Sequence, residues 1–251
     1  LIVSASPTSC GLNTTGCTAG QQEITVGTAG SAINDGTPYN GFYEDGRVQY
    51  LILQSELSAL GLTKGATIKS LSFFVSLKSS TQSYNNFTIK LGCTGLSSLS
   101  TFQSGLSQVF NGNISNANGW NDYQFSSYYD WDGTSNLLVE VCYDNDSWTN
   151  TDFVFGTVTA FSSVIYDQTD FSSGCSLTSP ATSNSRPNMK FMICTGEIDS
   201  TFDIQWSPFT YLDSDTIPSP LSIPQANISY YVTITDGLIC SSEDSLTIAV
   251  R

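Results

Sequence analysis

The sequence predicts an all-β fold: an antiparallel jelly-roll-like β-sandwich followed by a small Ig-like β-sandwich. Two observations carry this reading. From residue 66 onward, apolar or alternating runs of strand length recur every 10–15 residues, separated by turn residues. Charged residues make up only 12% of the 251-residue chain, with Ser, Thr, Asn and Gly filling the gap, and one stretch alone, 55–62, has the marks of a helix.

Residues 1–21 read as the end of a preceding domain and a linker. Residues 1–5 resemble the tail of a strand, and 4–21 are rich in Gly, Ser and Thr without periodicity. Cys10 and Cys17, seven apart, make a natural small disulfide loop at the entry to the next domain. The larger sandwich is expected over 22–194, opening with the alternating run 23–27. A turn-rich stretch at 31–48 precedes a strand at 48–53. In the helix at 55–62, Ser55 is placed to cap, Leu57 and Leu60 share a face, and Gly61 stops it. Strands follow at 66–77, 86–93, 108–110, 120–125, 137–143, 153–158, 164–167 and 186–194.

The strand at 137–143 is the one around which the others are expected to pack. Asp132-Gly133 turns the chain into it. Leu137, Val139, Val141 and Tyr143 point to one face, Leu138, Glu140 and Cys142 to the other, and only Glu140 is charged. It reads as a central strand, buried on one face and largely covered on the other. The pattern restarts on a smaller scale over 195–251, with strands at 202–208, 229–237 and 245–250.

The net charge of −14, from 22 acids and 8 bases, argues against nucleic acid as a partner, since phosphate binding needs clustered Lys and Arg. It argues equally against an anionic membrane surface, and no run approaches the roughly 20 apolar residues of a spanning helix. Seven cysteines without zinc spacing, in a chain that has no histidine, point to disulfides in an oxidising compartment. Both ends read as cut from something longer.

Parts of the sequence resemble a known family. Cys194-Thr195-Gly196, Trp206-Ser207-Pro208, Tyr231-Val232-Thr233-Ile234-Thr235-Asp236-Gly237, Cys240 and Asp244-Ser245 resemble the Ig/PKD-like repeats of Bacteroidota secreted proteins. In that likeness Cys194 and Cys240 stand where Ig domains carry an inter-sheet bridge, worth on the order of 4 kcal/mol. Residues 87–92, 131–136, 139–142 and 186–188 are similar to a β-sandwich module found beside such repeats in giant surface adhesins and gliding-associated proteins. The resemblance implies type IX secretion, a place at the cell surface, and neighbouring domains of one long chain as partners; the sorting signal would lie beyond Arg251. The repeats often carry further cysteines after Trp-Ser-Pro, and residues 211–215 have none. Asp-Ser/Thr triplets at Asp199, Asp215 and Asp244 resemble a Bacteroidota O-glycosylation signal, and Asn-x-Ser/Thr sequons stand at Asn13, Asn86, Asn113, Asn145 and Asn227.

Three chemistries are open to such a sequence. Without histidine, Ser-His-Asp and Cys-His catalysis are excluded, and zinc hydrolysis lacks its usual ligands. A carboxylate-pair glycosidase needs only Asp and Glu, but most aspartates lie in turns, where backbone geometry accounts for them. Catalytic residues are therefore not assigned. Calcium is the candidate cofactor, with Asp144, Asn145 and Asp146 as its oxygen-rich turn; Asp130 with Asp132, and Asp213 with Asp215, are further turns of that kind. Sugar binding is the third, through Trp120, Tyr128, Tyr129 and Trp148, because a sugar's apolar face stacks on a ring. The pairing among Cys93, Cys142 and Cys175 stays open. The expectation is a non-catalytic segment of a large secreted surface adhesin or appendage, serving adhesion and spacing. The alternative is a carbohydrate-binding accessory module of an extracellular enzyme. Surface glycans or another cell are the expected targets, and self-assembly into a fibre is a third arrangement.

Overall fold

The computed structural model describes residues 9–13, 20–28, 30–194, 203–217, 219–235 and 241–250. They fall into two compact units, one within Pro7–Gly196 and one within Glu197–Arg251. In the first, chain order runs β1 (Gly11–Asn13), β2 (Gln21–Val26), β3 (Ser31–Ile33), β4 (Asp45–Ile52), α1 (Gln54–Ala59), β5 (Thr67–Leu77), β6 (Tyr84–Thr94), β7 (Ser107–Ile114) and β8 (Gly119–Asp130). It continues with β9 (Asn136–Asp144), β10 (Phe153–Val158), β11 (Val164–Thr169), β12 (Ala181–Ser183), β13 (Ser185–Pro187) and β14 (Met189–Cys194).

All pairings are antiparallel and form two sheets. One has the order β12-β11-β4-β9-β6-β7; the other is built on β1-β8-β5-β10-β13, with β14 beside β5 and β2, and β3 beside β10. From β3 to β6, and again from β7 to β11, each strand lies in the opposite sheet from the one before, the alternation of a jelly-roll-like sandwich. The inner faces interleave around an aromatic cluster. Tyr39 stacks on Phe87 at 5.7 Å and meets Phe73 edge-on at 6.0 Å, and its hydroxyl bonds that of Tyr123 at 2.6 Å. A buried hydroxyl needs such a partner, so the phenols pair with one another inside the apolar core.

β9 lies between β4 and β6, with Leu137, Val139, Val141 and Tyr143 in the main core, as its alternation predicts. Its outer face is also covered. Gln49, Glu140 and Lys90 lie directly across from one another on β4, β9 and β6. Glu140 is 1% exposed and accepts bonds from Arg47 at 2.7 and 2.9 Å, Gln49 at 2.7 Å and Lys90 at 2.8 Å. A carboxylate can be buried at such cost only when its lone pairs are filled this completely. Residues 99–106 lie over this face: Leu99, Phe102 and Leu106 pack with Leu51, Leu138 and Ile165, and Gln49 exchanges two bonds with the Gln103 backbone.

Three expectations need correction. Residues 9–13 are no linker: β1 pairs with β8, and Cys10 is bonded to Cys93, not to Cys17. The short loop looked favourable from spacing alone, but strand pairing carries Cys10 to within 6.1 Å (Cα–Cα) of a residue 83 positions away. Helix α1 is capped at Leu53 rather than Ser55, with the Glu56 carboxylate accepting the Leu53 N–H at 2.9 Å. Glu56 is held there by the buried Arg186, which bonds it at 2.5 Å and the Leu51 carbonyl at 2.6 Å, tying β13 of one sheet to β4 of the other. Third, the strand expected at 120–125 runs on to Asp130 as β8, so that Tyr128 and Tyr129 lie within it. The pairing left open resolves as Cys142–Cys175. Cys194 is also disulfide-bonded, its partner outside the described residues; Cys17, Cys240, residues 1–5 and the motif at Asp199 lie outside them too.

In the smaller unit the described residues form one three-stranded antiparallel sheet, β15 (Asp203–Ser207), β16 (Ile228–Thr235) and β17 (Ser241–Ile248). Its buried anchor is Tyr230, whose hydroxyl donates to the Thr210 carbonyl at 2.7 Å, while the Trp206 indole donates to Ile217 at 3.0 Å. Residues 210 and 217, between the first two strands, are thereby tied to the sheet.

Candidate functional site: an aromatic cleft at one end of the sandwich

Asp45 at the start of β4 is opposite Asp144 at the end of β9 and Thr169 at the end of β11. This register makes three segments emerge side by side: 38–44, 145–152 and 170–175. Their backbones are bonded to one another. Thr149 N–H donates to Gly41 at 2.6 Å, Asn145 N–H to the Glu44 carbonyl at 2.9 Å, and Glu44 N–H to the Asp170 carboxylate at 3.0 Å. The fully buried Asp152 accepts the Ser79 and Ser80 N–H groups, the Ser80 hydroxyl and the Asn116 amide. Cys142–Cys175 fixes the third segment. At Gly174 an added Cβ would lie 2.2 Å from the Tyr143 carbonyl, so only glycine allows so close a crossing.

On this braced base three large rings face outward: Phe42 63% exposed, Trp148 59% and Phe171 91%. Together with Glu44 and Asp170 they line an open cleft of about 580 Å³, the size of a site for a small ligand or one side chain. The Phe42 and Trp148 rings are tilted at 53° with centroids 6.4 Å apart. Exposed apolar rings gathered on a well-packed body make this end the candidate contact surface, since folding gains nothing from leaving them in water.

The electrostatics are one-signed. Burial, and then the neighbouring carboxylates of Asp144, Glu44 and Asp170, push the Asp45 carboxyl up to about 6. Asp45 itself is almost buried, beside a cleft lined by no basic side chain.

The four aromatics read as sugar-binding do not converge. Trp148 is in the cleft. Tyr129 is 2% exposed, part of the core, and cannot stack on a ligand. Tyr128 is half-buried under the Lys69 ammonium, 5.3 Å from its ring. Trp120 is on the outer face of the eight-stranded sheet, edge-on to Phe74, which stacks on Phe155 at 4.9 Å.

The candidate calcium ligands are each turned to a protein donor. Asp144 accepts the Gly174 N–H at 2.5 Å, Asn145 the Asn85 N–H at 2.8 Å, and Asp146 faces the Asn85 amide at 3.5 Å. Among the described residues, the one trio of His, Cys, Asp or Glu with ligand spacing is Cys10, Cys93 and Asp132, where both sulfurs are in the disulfide. Asp132 closes a turn, accepting from Ser135 and Thr134; burial pushes its pKa up, but those bonds outweigh burial and hold the carboxyl below its ordinary range. Asp130 accepts from Asn13 and Thr67, Asp213 from Leu221, and Asp215 from Gln205.

Phe42, Glu44, Asp170 and Phe171 were missed from the sequence. Their one local signal is an aromatic flanked by acids in turn-rich surroundings, at 42–45 and 170–171. Fold and site together define the class: an all-β, disulfide-stapled sandwich with a surface cleft. Comparison with protein families, curated proteins and solved structures gives no match.

Proposed function

We propose that the chain is a non-catalytic segment of a large secreted surface adhesin, in which the sandwich presents its loop end as the contact face and the smaller β unit serves as a spacer. The observation that carries this reading is the set of three exposed rings, Phe42, Trp148 and Phe171, on a loop end braced by hydrogen bonds and a disulfide. Preorganised apolar rings lose little entropy on contact. The two disulfides are compatible with an oxidising, extracellular setting, and no described helix is long and apolar enough to cross a membrane. The resemblance to Bacteroidota surface proteins supports the same reading. Beads coated with the protein are expected to adhere to cells of the producing community. The double variant Trp148→Ala, Phe171→Ala should lose that adherence with an unchanged melting temperature; equal adherence would overturn the reading.

The second reading, a carbohydrate-binding module, is favoured by a different feature, the Trp120–Phe74–Phe155 strip on an outer sheet face. A glycan array probed with wild type and Trp120→Ala separates the two: signals that depend on Trp120 and not on Trp148 support the module.

A further inference from the structure

We infer that the cleft receives a cationic side chain, lysine or arginine, presented by a basic partner protein. The inference rests on reading the loop end as the contact face, and adds the chemistry of what is contacted.

Three observations carry it. The first is composition of the walls: the ionisable groups that line the cleft are both acids, Glu44 and Asp170, and the other lining residues are aromatic. Rings attract a cation over their faces within about 6 Å, and carboxylates beside them add to the attraction. An anionic ligand would meet repulsion, and a neutral one would bring no counter-charge to the two carboxylates, of which Asp170 accepts the Glu44 N–H. The second is that the ion-paired cations among the described residues are engaged elsewhere. Arg47 and Lys90 bond Glu140, Arg186 bonds Glu56, and Lys190 bonds Glu23. None of these four lines the cleft, so its carboxylates gain no counter-charge from them. The third is size. Phe171 is 91% exposed and Phe42 and Trp148 more than half so, on the outer rim of an open cleft. A free small cation would leave most of that ring surface in water, whereas a side chain projecting from a protein surface brings a second surface that covers it. The net charge of −14 steers a basic partner to this chain and away from acidic ones.

The test follows the indole N–H signal of Trp148, identified by its loss in Trp148→Phe, in a 15N–1H spectrum of the whole chain. The probe is a short lysine-rich peptide, with the same peptide acetylated on every lysine as the neutral control. A saturable shift of the Trp148 signal is expected with the first and none with the second. The double variant Glu44→Gln, Asp170→Asn, which keeps the oxygen that accepts the Glu44 N–H, should weaken binding about tenfold at low salt. The buried Trp131 signal should stay in place throughout, reporting an intact fold. Equal binding of the acetylated peptide, undiminished binding by the carboxamide variant, or no response of Trp148 to the lysine peptide would each overturn the inference. If bead adherence still depends on Trp148 in that last case, the cationic ligand alone is refuted. If adherence is also independent of Trp148, the contact face is refuted with it.

Discussion

Replacing Glu140 with leucine tests the most heavily bonded point of the sandwich. The carboxylate is 1% exposed on the outer face of the central strand and answers two cations and an amide. Leucine fills a similar volume but leaves Arg47 and Lys90 without their counter-charge under the covering segment. Breaking a buried pair from one side costs roughly 3–5 kcal/mol. The cations here retain some water, with Arg47 12% and Lys90 23% exposed, so the lower end, about 3 kcal/mol, is expected. Glu140→Gln should cost less, because it keeps an oxygen for the Gln49 amide. Replacing all three charged residues with Leu, Met and Met should recover stability to within about 1 kcal/mol of wild type. Urea unfolding followed by tyrosine near-ultraviolet circular dichroism measures this, since the larger unit buries Tyr39, Tyr50, Tyr84, Tyr123, Tyr129 and Tyr143. A loss below about 1 kcal/mol for Glu140→Leu would refute the reasoning, by showing that the cations rehydrate freely and the outer face is not sealed.

Two more outcomes follow from the same geometry. Asp45 titrates near 6 when folded and near 3.9 when unfolded, so between those values the folded state binds the extra proton and stability falls as pH rises; Asp45→Asn should flatten the melting-temperature profile in that window and raise it at neutral pH. Opening Cys10–Cys93, which closes 83 residues, should cost up to about 4.5 kcal/mol, against about 4 kcal/mol for Cys142–Cys175, which closes 33, and calorimetry of Cys→Ser pairs gives the ranking.

The central strand was legible because its alternation is local: Leu137, Val139, Val141 and Tyr143 must face one way whatever surrounds them. The strand at 153–158 and the stop at Gly61, with φ of +87°, were legible for the same kind of reason. The three-residue strands β1, β3 and β12 were not, being too short to show a period. The cleft was legible only at Trp148. Phe42 and Phe171 are 129 positions apart and meet through a register that neither segment encodes.

By itself, the sequence determined the all-β class, the order of most strands, the surplus of negative charge and the oxidised chemistry of the cysteines, because each follows from residue type or from spacing within one strand. Tertiary structure alone decided that Cys10 pairs with Cys93, that Arg186 reaches Glu56, and that Phe42, Trp148 and Phe171 share a cleft. Those facts depend on which strands lie side by side, and strand pairing between distant segments is settled by the packing of the whole core.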